Sequence, residues 1–359
     1  FKKGQPLIIA VDRPRFNLDA NEIKKNNKIR LIVVSRKIFY FIGSIFINKH
    51  YQFQSSYHFK DERDIELWNE TIGAIHKSNH EPIPNFEINK NLIEENKLKL
   101  YSYYEYLFKR YLDKLNINSL LLSNIDYWEV QEFSRVLRKN NVKVAALYRE
   151  SVGSKKQVEY LRKFYKSKSF KDLPIDKIFV FGQNAKKIFQ DTNFISNSDI
   201  HSIGIPRIDS YKKYNKNLTK NMVTIFNFSL PSYKLQKTSI ETLEVVNKIS
   251  KIYPKYKFLI KTKTNKETKE LKSMGIIDNF SNIEISDKTK MKTIIQKSKI
   301  IIGTNTTAVI ETLFLDAFFI YPSWNIDEGG SENLIVDDTL DRNQLIICNS
   351  KLDFEERLT

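Results

Sequence analysis

The stretch Ile300–Trp324 (IIIGTNTTAVIETLFLDAFFIYPSW) holds the densest potential chemistry in the chain. An apolar run ends at Gly303. Four small polar residues follow, Thr304, Asn305, Thr306 and Thr307, and then a helical pattern that carries Glu311. Hydroxyls and backbone N–H groups at a helix N-terminus make an anion site. Glu311 lies four residues after Thr307, one turn in on the same side, where a carboxylate can accept hydrogen bonds from a ribose diol. The same residues also suit a capped helix start, with Asn305 or Thr306 as N-cap and Glu311 solvated. A second cluster is Tyr148–Gly153 (YRESVG), which follows the apolar run Val142–Leu147. Glu150 there suits a general base acting on a hydroxyl, and Arg149 suits a phosphate or an acidic sugar. The alternative is an ion pair closing the strand.

Weaker candidates sit at other strand ends. Asp12, Arg13 and Arg15 (DRPRF) close the first apolar run, as an acceptor-binding group or a Pro-stiffened turn. Asn124, Asp126 and Tyr127 follow the run at 119–123, as a second acceptor contact or an Asx turn with N-cap. His201 is read as structural, and His50, His58, His76 and His80 have no metal-ligand spacing. No DxD-type pair follows a strand, and Asp337-Asp338 falls in a late polar stretch. A metal-independent reaction without a bound cofactor is the expectation.

These residues are carried by alternating strands and helices. Strands are expected at 6–12, 29–35, 119–123, 142–148, 177–181, 222–228, 257–261, 283–286, 299–303 and 317–321. Helices are expected at 62–76, 92–115, 127–140, 157–165, 183–191, 235–252, 291–297 and 306–314. Continuous apolar strands between helices mean a mostly parallel sheet covered on both faces. The segment 210–221 (SYKKYNKNLTKN) has linker composition, and the same grammar restarts after it. The expected architecture is therefore α/β, with a Rossmann-like domain over 1–209, a linker over 210–221 and a second Rossmann-like domain over 222–359. The ligand belongs in a central cleft that both domains face, at the carboxyl ends of the strands.

Composition sets bounds. The chain has 359 residues, enough for about two domains. With only 10 Gly it has no GxGxxG and no GxxxxGK[ST], which removes the ordinary dinucleotide and P-loop readings. Its one cysteine, Cys348, excludes a disulfide framework and points to a reducing, cytoplasmic compartment. Fifty-nine Lys and Arg against forty-two Asp and Glu give a net charge of +17. Such a balance favours an anionic membrane surface or phosphate-bearing substrates, or simply reflects a Lys-rich solvated surface. The lysines are spread along the chain without a nucleic-acid-binding motif, so no nucleic-acid partner is expected. The longest apolar run, Ile38–Ile47 (IFYFIGSIFI), is too short to span a bilayer. It reads as a buried strand or helix of the first core, or as a membrane-contacting hairpin flanked by Lys37 and Lys49. No signal-peptide pattern opens the sequence, which starts at Phe1 rather than Met, as a fragment of a longer chain would.

The sequence of strand, small polar residues, acidic helix and Pro-closed strand resembles the nucleotide-binding element of GT-B glycosyltransferases. Gly204–Asp209 (GIPRID) is similar to the G-x-P-R-x-D run of CDP-glycerol glycerophosphotransferases and related surface-polysaccharide transferases. Lys257–Lys263 (KFLIKTK) resembles their strand ending in Lys-x-His-Pro, with Lys263 where the histidine stands. Ile178–Gln183 (IFVFGQ) resembles the last strand of their first domain. The resemblance implies a GT-B enzyme that moves a sugar or polyol-phosphate unit from a nucleotide-activated donor to a growing surface glycan or lipid-linked acceptor. It implies a donor site made of Gly204, Pro206, Arg207, Asp209, Lys261, Lys263, Thr304–Thr307 and Glu311, with Glu150 as base. Peripheral attachment to the inner face of the cell membrane follows as an expectation. Two rivals stay open: an isomerase resembling the non-hydrolysing UDP-N-acetylglucosamine 2-epimerases, and a non-catalytic nucleotide- or glycan-binding protein. Neither the donor base nor the oligomeric state can be read from these residues.

Overall fold

The computed structural model describes residues 5–12, 16–25, 28–47, 90–123, 128–148, 174–191, 195–196, 199–211, 220–226, 233–278, 282–303, 317–324 and 345–359. The expected helices at 62–76, 157–165 and 306–314 lie outside them. The chain divides into two compact units, with the described residues up to Asp209 in the first and those from Ser210 in the second.

The first unit runs β1 (Leu7–Asp12), α1 (Phe16–Lys24), β2 (Arg30–Ser35), α2 (Arg36–Phe46), α3 (Lys90–Leu107), β3 (Ile117–Leu122), α4 (Trp128–Lys139), β4 (Lys143–Tyr148), β5 (Lys177–Val180), α5 (Gln183–Asp191) and β6 (Ile200–Ser202), and the short α6 (Ile208–Tyr211) spans the division between the units. Its six strands are parallel in the order β2-β1-β3-β4-β5-β6. One face of the sheet is filled by Ala10, Leu121 and Leu147 against Phe16 and Ala20 of α1. The rings of Phe39, Tyr104 and Phe133 pack α2, α3 and α4 together, with centroids 5.0 to 6.3 Å apart.

The second unit runs β7 (Met222–Phe226), α7 (Tyr233–Ile252), β8 (Lys257–Lys261), α8 (Asn265–Ser273), β9 (Ile283–Ser286), α9 (Met291–Lys297), β10 (Ser298–Gly303), β11 (Phe318–Pro322), β12 (Leu345–Cys348) and α10 (Lys351–Leu358). Its six parallel strands lie in the order β12-β11-β10-β7-β8-β9. Alternate strand residues feed two cores. Val223, Ile225, Phe258, Ile260 and Ile302 meet α7, α8 and α10. Met222, Phe226, Leu259, Ile301 and Phe319 form the other face with Ile294 of α9.

Two expectations change. The helix over 92–115 is α-helical only to Leu107, then widens into a π turn at Phe108–Leu112 and tightens into a 3₁₀ turn at Asp113–Leu115. Asn116, at φ 48°, stops it in the left-handed region. The apolar run at 38–47 takes the helical one of its two expected forms, in α2, but is only partly buried. Ser35 caps it, its hydroxyl accepting from the Lys37 amide, and only Phe39, Gly43 and Ile47 of the run are buried.

Candidate functional site

Strand order places a crevice in each sheet. In parallel open sheets ligands bind beyond the carboxyl ends, where successive connections leave in opposite directions. In the first sheet that point lies between β1 and β3, and in the second between β7 and β10. The first is marked by Asp12, whose Oδ1 is buried with no hydrogen-bond partner among the described residues. The second is marked by Phe226 and Gly303, which are register partners.

At the second crevice a cavity is lined by Phe226, Gly303, Pro322 and the α7 residues Thr238, Ser239 and Thr242. Gly303 sits at a close approach: a Cβ there would stand 3.1 Å from the Phe226 Cβ, tighter than an ordinary contact. The α7 wall is held by hydrogen bonds. The Thr238 hydroxyl donates to the Trp324 carbonyl at 2.5 Å, and the Thr242 hydroxyl donates to the Thr238 carbonyl at 2.7 Å. Trp324 Nε1 donates to Glu241 Oε2 at 2.6 Å. The strand side of the cavity is apolar apart from Gly303, with Ile225, Phe226, Ile302 and Pro322, and Thr304 follows Gly303 in the chain.

Sequence reasoning read α7 only as an apolar-periodic helix and missed Thr238, Ser239 and Thr242. The available signal was the cluster of small hydroxyl residues in the helix that follows the first strand of a Rossmann-like half. Thr304, Asn305, Thr306, Thr307 and Glu311 lie outside the described residues, as do Arg13, Arg15, Asp126, Arg149 and Glu150.

Lys261 ends β8 beside Phe226 in register. Its Nζ donates to the carbonyls of Thr262 and Asp287, at 2.8 and 2.5 Å, so it ties together the ends of β8 and β9. Lys263 is exposed. Its amide donates to Glu267 Oε2, beside the capping box that Thr264 and Glu267 form at the start of α8.

The GIPRID run belongs to the first unit. Arg207 is 3 % exposed and Asp19 is 0 % exposed. The Arg207 amide donates to Asp19 Oδ1 at 3.0 Å and its Nη1 to Asp19 Oδ2 at 2.9 Å. The guanidinium also lies over the Phe181 ring, 5.2 Å from its centroid. Arg207 is thus a buried rivet between α1 and the chain before α6. Gly204 takes φ +71°, and the Asp209 amide donates to the Pro206 carbonyl at 3.1 Å. These set the turn that delivers Arg207. His201 stacks near Phe179, centroids 5.7 Å apart.

Cys348 offers no nucleophile. It is buried, and desolvation pushes its thiol up to about 12. Burial does the same to the Tyr321 phenol, also to about 12.

No protein-family model matches the chain, and no curated protein does. Solved structures do resemble it. A structure of Staphylococcus aureus MnaA with UDP superposes with a TM-score of 0.55 at 12% identity, covering 98% of this chain and 86% of that one. The Methanocaldococcus jannaschii UDP-GlcNAc 2-epimerase, in complex with UDP-GlcNAc and UDP, gives 0.52 at 13% identity, covering 98% and 91%. The glycotransferase of kitacinnamycin gives 0.50 at 8% identity, covering 99% and 90%. The likeness shows the fold: two Rossmann-like domains of the GT-B type.

Proposed function

We propose that the chain is a nucleotide-sugar-dependent glycosyltransferase whose nucleoside diphosphate sits at the carboxyl edge of the second sheet. The observation that carries this is the coincidence, at the β7/β10 crossing point, of a Cβ-free Gly303, a small polar wall on α7 and the direct exit into Thr304–Thr307. Backbone N–H groups and hydroxyls of such a turn neutralise phosphate charge. Lys263 adds a cation, and Glu311 takes the ribose hydroxyls. Two of the similar structures were solved with UDP or UDP-GlcNAc, which supports a nucleotide sugar as the ligand class.

The acceptor belongs to the first sheet. Asp12 Oδ1 is buried without a described partner, and buried polar atoms are almost always hydrogen-bonded. An acceptor hydroxyl would satisfy it. Arg13, Arg15 and Asp126 follow strand ends of the same sheet. Glu150, which follows β4, deprotonates the attacking hydroxyl, and Arg149 beside it orients an acidic acceptor group. The glycosidic bond to the donor phosphate breaks as the new one forms, and the nucleoside diphosphate leaves.

A second reading is nucleotide-sugar 2-epimerisation, favoured by the epimerases among the similar structures. Against it stands the poverty of histidine: no His follows His201. Incubation with nucleotide sugars and glycan acceptors separates the two. Transfer releases nucleoside diphosphate only when an acceptor is present, whereas epimerisation converts the nucleotide sugar with no acceptor. Glu311→Gln tests the donor site. Charge-assisted hydrogen bonds are worth about 1.5–3 kcal/mol, so nucleotide affinity falls roughly 10- to 150-fold while the melting temperature holds. Equal dissociation constants remove Glu311 from the site.

A further inference from the structure

The helix α2 presents an apolar stripe to the outside. Ile38, Phe41 and Ile45, at successive turns, are 52 %, 68 % and 64 % exposed, and Tyr40 beside them is 40 % exposed. Its opposite side, Phe39 and Gly43, is buried on α3 and α4. The edge strand β2 before it also exposes Ile32 and Val33, one on each face of the sheet. Ser44 leaves no polar demand within the stripe, because its hydroxyl donates to the Phe41 carbonyl at 2.8 Å. A contiguous apolar face of this kind marks an interaction surface.

Charge identifies the occupant. No Asp or Glu occurs between Glu22 and Asp61. Lys28 and Arg30 stand at one end of β2, and Arg36 and Lys37 at the other. A second copy of the chain would set this cationic face against its own image, and like charges would oppose pairing. An anionic surface complements it. The helix is too short to cross a bilayer, and no described helix is long and apolar enough to do so. An apolar side with an aromatic centre, bordered by Lys and Arg, is the form of a helix that lies in the headgroup plane.

We propose that α2 and the β2 edge dock the protein on an anionic lipid bilayer, with Phe41 and Ile45 inserted among the acyl chains and the flanking Lys and Arg on the headgroups. Docking is independent of the sugar-transfer reading, and either can fail without the other. The test is sedimentation of the full chain with vesicles of phosphatidylcholine alone, or with about one third phosphatidylglycerol. Binding should need the anionic lipid, and the Ile38→Asn/Phe41→Asn/Ile45→Asn variant should lose it at least about tenfold, since every basic residue is kept while the buried apolar area goes. A second probe needs only one exposed change. Ile45→Cys, labelled with an environment-sensitive dye while Cys348 stays buried, should shift its emission to the blue on the anionic vesicles. Failure to sediment, equal binding by the triple variant, or an unshifted dye overturns the proposal. So does a triple variant that turns a dimer into a monomer with its lipid binding unchanged, which would assign the face to a second copy.

Discussion

At the scale of single residues, Asp19 ties distant parts of the first unit together. Its two oxygens take the amide and the guanidinium of a residue 188 positions away. Removing one partner of a buried pair strands the other charge, at about 3–5 kcal/mol. Urea titration of Asp19→Ala should show a loss of that size, and the double substitution Asp19→Leu/Arg207→Met should recover most of it, since an apolar pair needs no compensation. A double variant no more stable than Asp19→Ala would deny the rivet. Between α3 and α4 the charges titrate. Burial lowers the pKa of Lys97 from 10.5, and burial raises that of Glu132. For Lys97 the folded value lies below the unfolded one, so the charged form costs stability below the folded pKa. Stability therefore rises as pH climbs from that value to 10.5, and Lys97→Met should abolish the rise. The Glu132 contribution is present below the unfolded carboxylate value and lost as pH rises through the raised folded one; Glu132→Gln should remove that fall. Unchanged pH–stability curves in both variants would contradict these shifts. The sequence marked Arg207 by its motif and its charge. It could not show Asp19, because nothing local links α1 to residue 207.

At the scale of elements, the strands most legible in the sequence are the central ones, since strands buried on both faces read as unbroken apolar runs. LIIAVD, KVAALY, KFLIK and SKIIIG are such runs, at β1, β4, β8 and β10. The short outermost strands β6 and β12 escaped notice, because IHS and LIIC are brief and lie at sheet edges. The helix α8 escaped because NKETKELKS is nearly all polar, and only the Thr264/Glu267 capping box announces it. In α2 the residue types were legible but the outward stripe was not: an apolar run does not say which side finds a partner. For the candidate site, residue types alone marked Thr304–Thr307, which lie outside the described residues, while the α7 wall waited on the register of β7 against β10. Gly303→Ala tests that junction. A Cβ there meets the Phe226 Cβ at 3.1 Å, so the neighbour must give by a few tenths of an ångström, and overpacking of this kind costs about 1–3 kcal/mol. Both the melting temperature and nucleotide affinity should fall, and a variant that alters neither would remove the close approach from the account.

At the scale of the whole molecule, the two sheets carry two crossing points with different contents, a carboxylate oxygen without a partner among the described residues at one and a polar α7 wall at the other. The lone cysteine reports on the second unit. Cys348 is 0 % exposed with its thiol pushed up to about 12, so at pH 8 a disulfide reagent should leave it unmodified until urea opens that core. Saturating nucleotide at a hundredfold excess over its dissociation constant adds about 2.7 kcal/mol of stability, and should raise the urea concentration at which the thiol reacts. Equal labelling with and without nucleotide would speak against binding in this unit. The most direct measurement is a crystal structure of the protein with UDP. The nucleotide should lie against Gly303, Ser239 and Thr238 at the carboxyl edge of β7 and β10, with its ribose on Glu311. A nucleotide held wholly by residues 5–209 would contradict the assignment.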